Sequence, residues 1–212
     1  MERAASPPLN GRRAEAARNN LTILDAARAV FTDDPGAPIA AVAARAGVGI
    51  GALYRRYASK EALLQHLALD GLARYLAAAE VALADDGDRW AAFTRFMAAA
   101  LDAGTGSLTL RFAGNFTSTE EMQQAGIRGY TTTQQLLDRA QAAGIIRADL
   151  TVTDLALIFE QLQAIRVGDH ERTMQLRRRA LALLLDALRC PDPSPLPGPA
   201  PHWEELRQRY EG

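Results

Sequence analysis

Cysteine occurs once in the 212 residues, at position 190. One thiol excludes a disulfide framework and cannot build a thiolate metal site alone. Lysine is nearly missing as well: of 24 basic residues, only Lys60 is not arginine. Val, Ile and Thr never alternate at period two, so the pattern of a half-buried strand is absent. The longest apolar stretch near the C-terminus, ALALLLDAL, is broken by Asp186 and is far too short to span a bilayer. The opening MERAASPPLNGRRAEAARNN has no apolar core and does not read as a signal peptide. The three His, at positions 66, 170 and 202, stand apart. No His-Glu-x-x-His, Gly-x-Ser-x-Gly or repeated Glu-x-x-His pattern occurs. The expectation is a cytoplasmic protein, not an enzyme, with no metal or cofactor and no membrane partner.

What the chain does have is helix-forming residues. Hydrophobic residues make up 48%, enough for a packed core, and Ala, Leu and Arg dominate. The class expected is all-α, with about nine helices. Charge is uneven: residues 1–75 carry ten Arg/Lys and seven Asp/Glu, whereas 76–212 carry fourteen and eighteen. A mildly basic N-terminal third on an acidic body hints at a polyanion partner there.

Four regions follow. Residues 1–18 mix Ser, Pro, Gly and Arg without periodicity and read as a flexible arm. Residues 19–65 hold a small helical domain: Leu24, Ala27 and Phe31 share one helical face, and Ile39, Val42 and Ala43 another. Residues 66–190 are a larger helical domain. Within it Ser118-Thr-Glu-Glu121 and Thr151-Val-Thr-Asp154 read as capping boxes, and Gly104 and Gly144 as helix stops. Residues 191–212 are a Pro-rich tail, extended and semi-rigid.

The stretch GVGIGALYRRYASKEALL, from Gly47 to Leu64, concentrates the chemistry. Its glycines suggest a phosphate loop, but a dinucleotide fingerprint needs a preceding strand, and here a helix precedes. The spacing is also wrong, and no Walker Gly-Lys-Ser/Thr occurs. Helix–turn–helix fits better. One helix ends at Gly47, whose place asks for a left-handed backbone; Val48 and Gly49 turn; a short helix starts at Ile50. Gly49, Gly51 and Ala52 allow close backbone approach, Tyr54, Arg55, Arg56 and Lys60 offer phosphate donors, and the next helix start adds an anion-attracting end.

This stretch resembles the signature of TetR-type transcriptional repressors: a Gly-Val-Ser/Gly turn, a Leu-Tyr-x-His/Arg-Phe recognition helix, then Ser-Lys-Glu-x-Leu. The likeness extends back through Ile23-Leu24-Asp25-Ala26-Ala27, Phe31, Ile39, Val42 and Ala43, covering about residues 19–70. It implies a three-helix DNA-binding domain before a larger ligand-binding and dimerisation domain. It also implies that Tyr54 and Lys60 hold phosphate and that Ile50, Gly51 and Ala52 face the bases. Arg56 stands where His is common and Tyr57 where Phe is common, and both keep the chemistry; Ala52 stands where Thr or Ser often contacts DNA. The lost hydroxyl shifts readout towards Arg55, Arg45 or the arm. Arg45 has a second reading, as complement to its helix's C-terminal dipole, and Arg55 a second one as a solvated charge. Leu53, Val48 and Tyr57 read as core.

The resemblance further implies a homodimer on a double-stranded operator, released by a small effector. Dimer candidates are Leu155, Ile158, Leu162, Leu181, Leu185 and Leu188. For an effector pocket the aromatic and polar residues available are Trp90, Phe93, Phe96, Met97, Phe112, Phe116, Tyr130, Phe159 and Gln163, which suit a small apolar or aromatic molecule. The same residues also read as plain core. A helical-cavity carrier or enzyme is the competing class.

Overall fold

In a computed structural model of the chain, residues 11–34, 36–104, 117–189 and 192–206 are described, with side chains from Asn20 onward. Among these residues the regular structure is helical throughout. The helices are α1 (Gly11–Asp33), α2 (Ile39–Ala46), α3 (Ile50–Arg56), α4 (Lys60–Ala84), α5 (Arg89–Ala103), α6 (Glu120–Ala142), α7 (Val152–Ala164) and α8 (His170–Leu188). Phe112, Phe116 and Cys190 lie outside the described residues. The chain divides into two compact units, Met1–Lys60 and Glu61–Gly212.

The first unit is built on α1. It reaches back to Gly11, so the expected arm is helical from that point. Arg-Arg-Ala-Glu-Ala-Ala-Arg is a run of strong helix formers, and an end with no apolar stripe gives periodicity nothing to detect. α1 packs against α2, and α2 against α3. Phe31, Val42, Leu53 and Tyr57 are almost wholly buried at the centre. α1 stops at Asp33, and the Asp34 carboxylate then accepts the Gly36 amide at 2.8 Å.

In the second unit α5 packs against α6, α7 and α8, and α7 against both α6 and α8. Phe93, Phe96, Met97, Leu101, Leu137 and Leu155 fill its centre. The Thr151–Asp154 capping box forms, with Asp154 accepting the Thr151 amide at 2.9 Å. At the start of α6 the cap is Thr119, one residue later than expected, accepting from the Met122 amide at 3.2 Å. That shift puts Met122 rather than an acid at the third helical position, so no reciprocal box can close. Gly104 and Gly144 take the left-handed conformation after α5 and α6.

Polar groups inside this unit mostly serve backbone. Arg177, 2% exposed, donates to the carbonyls of Gln163 at 2.7 Å and Ile165 at 3.2 Å, and to the Gln163 side chain at 2.8 Å. These carbonyls end α7, where intrahelical amides run out. Gln163 in turn donates to the Leu101 carbonyl at 2.9 Å. The Tyr75 hydroxyl meets Thr133 Oγ1 at 2.7 Å, and Thr133 donates to the Gly129 carbonyl at 2.7 Å.

Residues 192–202 of the Pro-rich tail carry no regular structure, residues 203–206 make a helical turn, and the segment is anchored. Arg147 grips Asp149 through two nitrogens, at 2.6 and 2.9 Å, and donates to the Ser194 carbonyl at 2.7 Å. Asp149 accepts the Leu196 amide at 3.2 Å. The Arg147 hydrogen bonds hold the Asp149 carboxyl down to about 2. Beyond, the Trp203 ring sits 5.2 Å from that of Tyr130, and Leu206 is buried.

Two outcomes follow from the buried polar groups. Arg177→Met strands two helix-end carbonyls and a side-chain oxygen, so it should cost about 3 kcal/mol in urea unfolding. A loss under about 1 kcal/mol would show that water takes over those bonds. Burial pushes the Tyr75 hydroxyl up to about 12, partly offset by its bond to Thr133. The unfolded chain ionises first, near 10, so this stability is whole below pH 10 and drains away as pH rises towards 12. Tyr75→Phe should flatten that alkaline decline at a cost of about 1 kcal/mol at neutral pH.

Candidate nucleic-acid interface

The turn between α2 and α3 is set by backbone chemistry. Gly47 has φ 67°, and its amide donates to the Ala44 carbonyl at 3.2 Å while Val48 donates to Ala43 at 3.0 Å. This pair of bonds is a Schellman closure, which needs a left-handed residue. Gly49 is different. It precedes α3 with φ −66° and ψ 140°, and a Cβ there would meet nothing within 4 Å. At Gly51 a Cβ would stand 3.7 Å from Arg55 Nη1, an ordinary contact. Neither backbone conformation nor packing in the free chain asks for glycine at 49 or 51.

α3 has seven residues, and only Leu53 among them is buried. Ile50, Gly51, Ala52, Tyr54, Arg55 and Arg56 are all exposed, Ile50 by 43% and Tyr54 by 48%. Six of seven exposed positions give an outward face too broad for a helix whose job is to fill a core. Its inner end carries small residues and one aliphatic, its outer end an aromatic hydroxyl and two guanidinium groups. Arg45 is exposed on the last turn of α2. At about 1.5 Å per residue, α3 is roughly 10 Å long, within a major groove about 12 Å wide.

Lys60 takes a more structural place than its motif suggests. Its Nζ donates to the Ala37 carbonyl at 2.8 Å and lies 5.2 Å from the Phe31 ring centroid. The ammonium thereby ties the start of α4 to the turn before α2. Asn20, on α1, was not legible as a functional residue. Its Oδ1 accepts from Arg56 Nε at 2.7 Å and from the Tyr57 hydroxyl. These partners lie 36 and 37 positions away, so no local signal could have exposed the link.

The chain matches the model for bacterial regulatory proteins of the tetR family over residues 23–67. It matches the model for the C-terminal domain of SbtR-like transcriptional regulators over residues 85–190, half its length. The chain belongs to the TetR family of transcriptional regulators. Solved structures agree on the fold. A TetR regulatory protein from Mycobacterium vanbaalenii is 29% identical, with a TM-score of 0.53, 84% of this chain and 99% of that chain covered. SCO0520 from Streptomyces coelicolor is 26% identical, with a TM-score of 0.55 and coverages of 79% and 97%. LfrR from Mycobacterium smegmatis, solved in complex with proflavine, is 24% identical, with a TM-score of 0.55 and coverages of 78% and 95%. No curated protein matches the sequence.

In this TetR-family chain most of the described effector candidates of the second unit belong to, or pack against, its core. Phe93, Phe96 and Met97 are at most 1% exposed, Phe159 is 7% exposed, and Gln163 is tied to Leu101 and Arg177. Trp90 lines an open cleft of about 810 Å³ with Asp88, Gly144, Ile145, Asp186, Ala187 and Arg189. The Arg189 guanidinium lies 5.0 Å from the Trp90 ring centroid. Tyr130 is half-buried under Trp203. Of the six dimer candidates, Leu155, Leu162, Leu181 and Leu188 are core residues of this chain, while Ile158 and Leu185 are half-buried. Leu183 on α8 is 67% exposed. Among the described residues no cluster of three His, Cys, Asp or Glu could hold a metal, and no helix is long and apolar enough to cross a membrane.

The glycines separate by substitution. Gly47→Ala should destabilise the first unit by about 1–2 kcal/mol, the cost of a left-handed non-glycine residue. Gly49→Ala should leave thermal unfolding unchanged. Equal melting temperatures for the two variants would show that the turn does not depend on the Gly47 backbone.

Proposed function

We propose that the chain is a repressor that binds a two-fold operator as a homodimer and leaves it when a small molecule binds the second unit. The observation that carries this is α3: a seven-residue helix with one buried side chain and a glycine in its first turn. An exposed helical glycine costs about 1 kcal/mol against alanine. A solvated helix gains nothing for that cost, whereas a helix pressed against base edges gains clearance. Gly49, Ile50, Gly51 and Ala52 approach the bases. Tyr54, Arg55, Arg56, Lys60 and Arg45 contact phosphates and fix the register. One helix of this length makes too few contacts for specific affinity, and paired half-sites answer that need. The partner surface lies on α7 and α8, where Leu183 is exposed, and Ile158 and Leu185, half-buried at the edge of this chain's own core, help hold it in shape.

The effector is a small apolar or aromatic molecule bound in the second unit, and LfrR, of the same fold, is in complex with proflavine. To release DNA, the effector must bind one conformation better than the other. A regulator that meets its operator works in the cytoplasm.

Gel shift with the DNA upstream of the chain's own gene tests the reading. Gly51→Leu should keep or raise thermal stability and lose the preference for that DNA over random duplex. Arg55→Ala should weaken both and lower the slope of log K against log salt by roughly 0.9. A wild-type chain with no preference for any upstream fragment would sink the proposal.

A further inference from the structure

We infer that Asn20 on α1 is a positioning residue for DNA contact by Arg56; the inference rests on the DNA-binding reading above. Asn20 is half-buried, and its one Oδ1 accepts from two residues at the end of the recognition helix: Arg56 through Nε, at 2.7 Å, and the Tyr57 hydroxyl. Tyr57 itself is 2% exposed, so its ring is fixed in the core and its hydroxyl holds the Asn20 oxygen in one place. Arg56 is exposed. A guanidinium carries five N–H donors. Nε lies on the stem side, so a bond there fixes the plane of the group. The two terminal nitrogens remain at the far edge, with the forked geometry that phosphate oxygens accept. The arrangement orders a long side chain before DNA arrives and removes an ordering cost from binding.

The test separates orientation from charge and from plain stability. Wild type, Asn20→Ala, Arg56→Lys, Arg56→Ala and Asn20→Ala/Arg56→Ala are compared by fluorescence anisotropy on the upstream DNA across a salt series. Asn20→Ala should bind about three- to ten-fold more weakly, with an unchanged salt slope, because the charge of Arg56 is kept. Arg56→Lys, which leaves the Asn20–Tyr57 bond intact, should show the same loss and the same slope. Arg56→Ala should lower the slope by roughly 0.9. In that background, Asn20→Ala should cost nothing further. Additive losses, or full affinity in Arg56→Lys, would overturn the assignment and leave Asn20 a structural tie between α1 and Tyr57. A wild-type chain that binds no DNA would instead remove the reading beneath it.

Discussion

Every helix ends in carbonyl groups with no amide left to meet them, and the fold of this chain turns on how those carbonyls are satisfied. Glycine closes α2, α5 and α6 by taking the left-handed backbone. At the ends of α4 and α7 a distant side chain supplies the donors, while the Leu188 carbonyl that ends α8 accepts the Arg147 backbone amide at 3.0 Å. Arg139 reaches the carbonyls of Leu83 and Asp85 at the end of α4. Arg177 does the same for α7, and Gln141 donates to Arg147, Ala148 and Leu150 in the loop after α6. Lys60 meets Ala37 in the first unit. Arginine suits this work because its several donors sit on a rigid plane. The Arg-rich, Lys-poor composition thus bears on architecture as well as on any polyanion.

The helix stops and one helix start were legible because their signals are local. Gly47, Gly104, Gly144 and the Thr151–Asp154 box act on neighbours within five residues, and the text of the chain displays them. The Ser118 cap missed by one position because Ser118 and Thr119 are both able caps, and only the geometry of the entering chain separates them. The start of α1 was hidden for the opposite reason: its sequence carries no apolar stripe, so there is no periodicity to read. Long-range partners left no trace at all. Nothing near Arg177 announces that Gln163 lies across from it, and nothing near Arg56 announces Asn20.

The candidate site was legible in its outward half. Tyr54, Arg55 and the small residues of α3 stand exposed where the motif puts them. Its inward half was not, since Lys60 and Arg56 each have a partner within the first unit. The motif's basic residues are therefore part of the scaffold that presents α3 as well as part of what it presents. In the second unit, aromatic content was a poor guide to a pocket. Phe93 and Phe96 pack against each other and against Tyr75 and Trp90, which is how aromatic rings stabilise any core.

The anchored tail gives the molecule a built-in optical contrast. Its two indoles stand in different surroundings, Trp90 beneath a guanidinium and Trp203 against the phenol ring of Tyr130. Trp203 is 38% exposed and sits on a segment anchored by two hydrogen bonds to the side chains of Arg147 and Asp149 and by a single buried leucine. Lifting that segment would move one chromophore into water and leave the other in place. The emission of a Trp90→Phe chain then reports the C-terminal segment alone, with no dye attached.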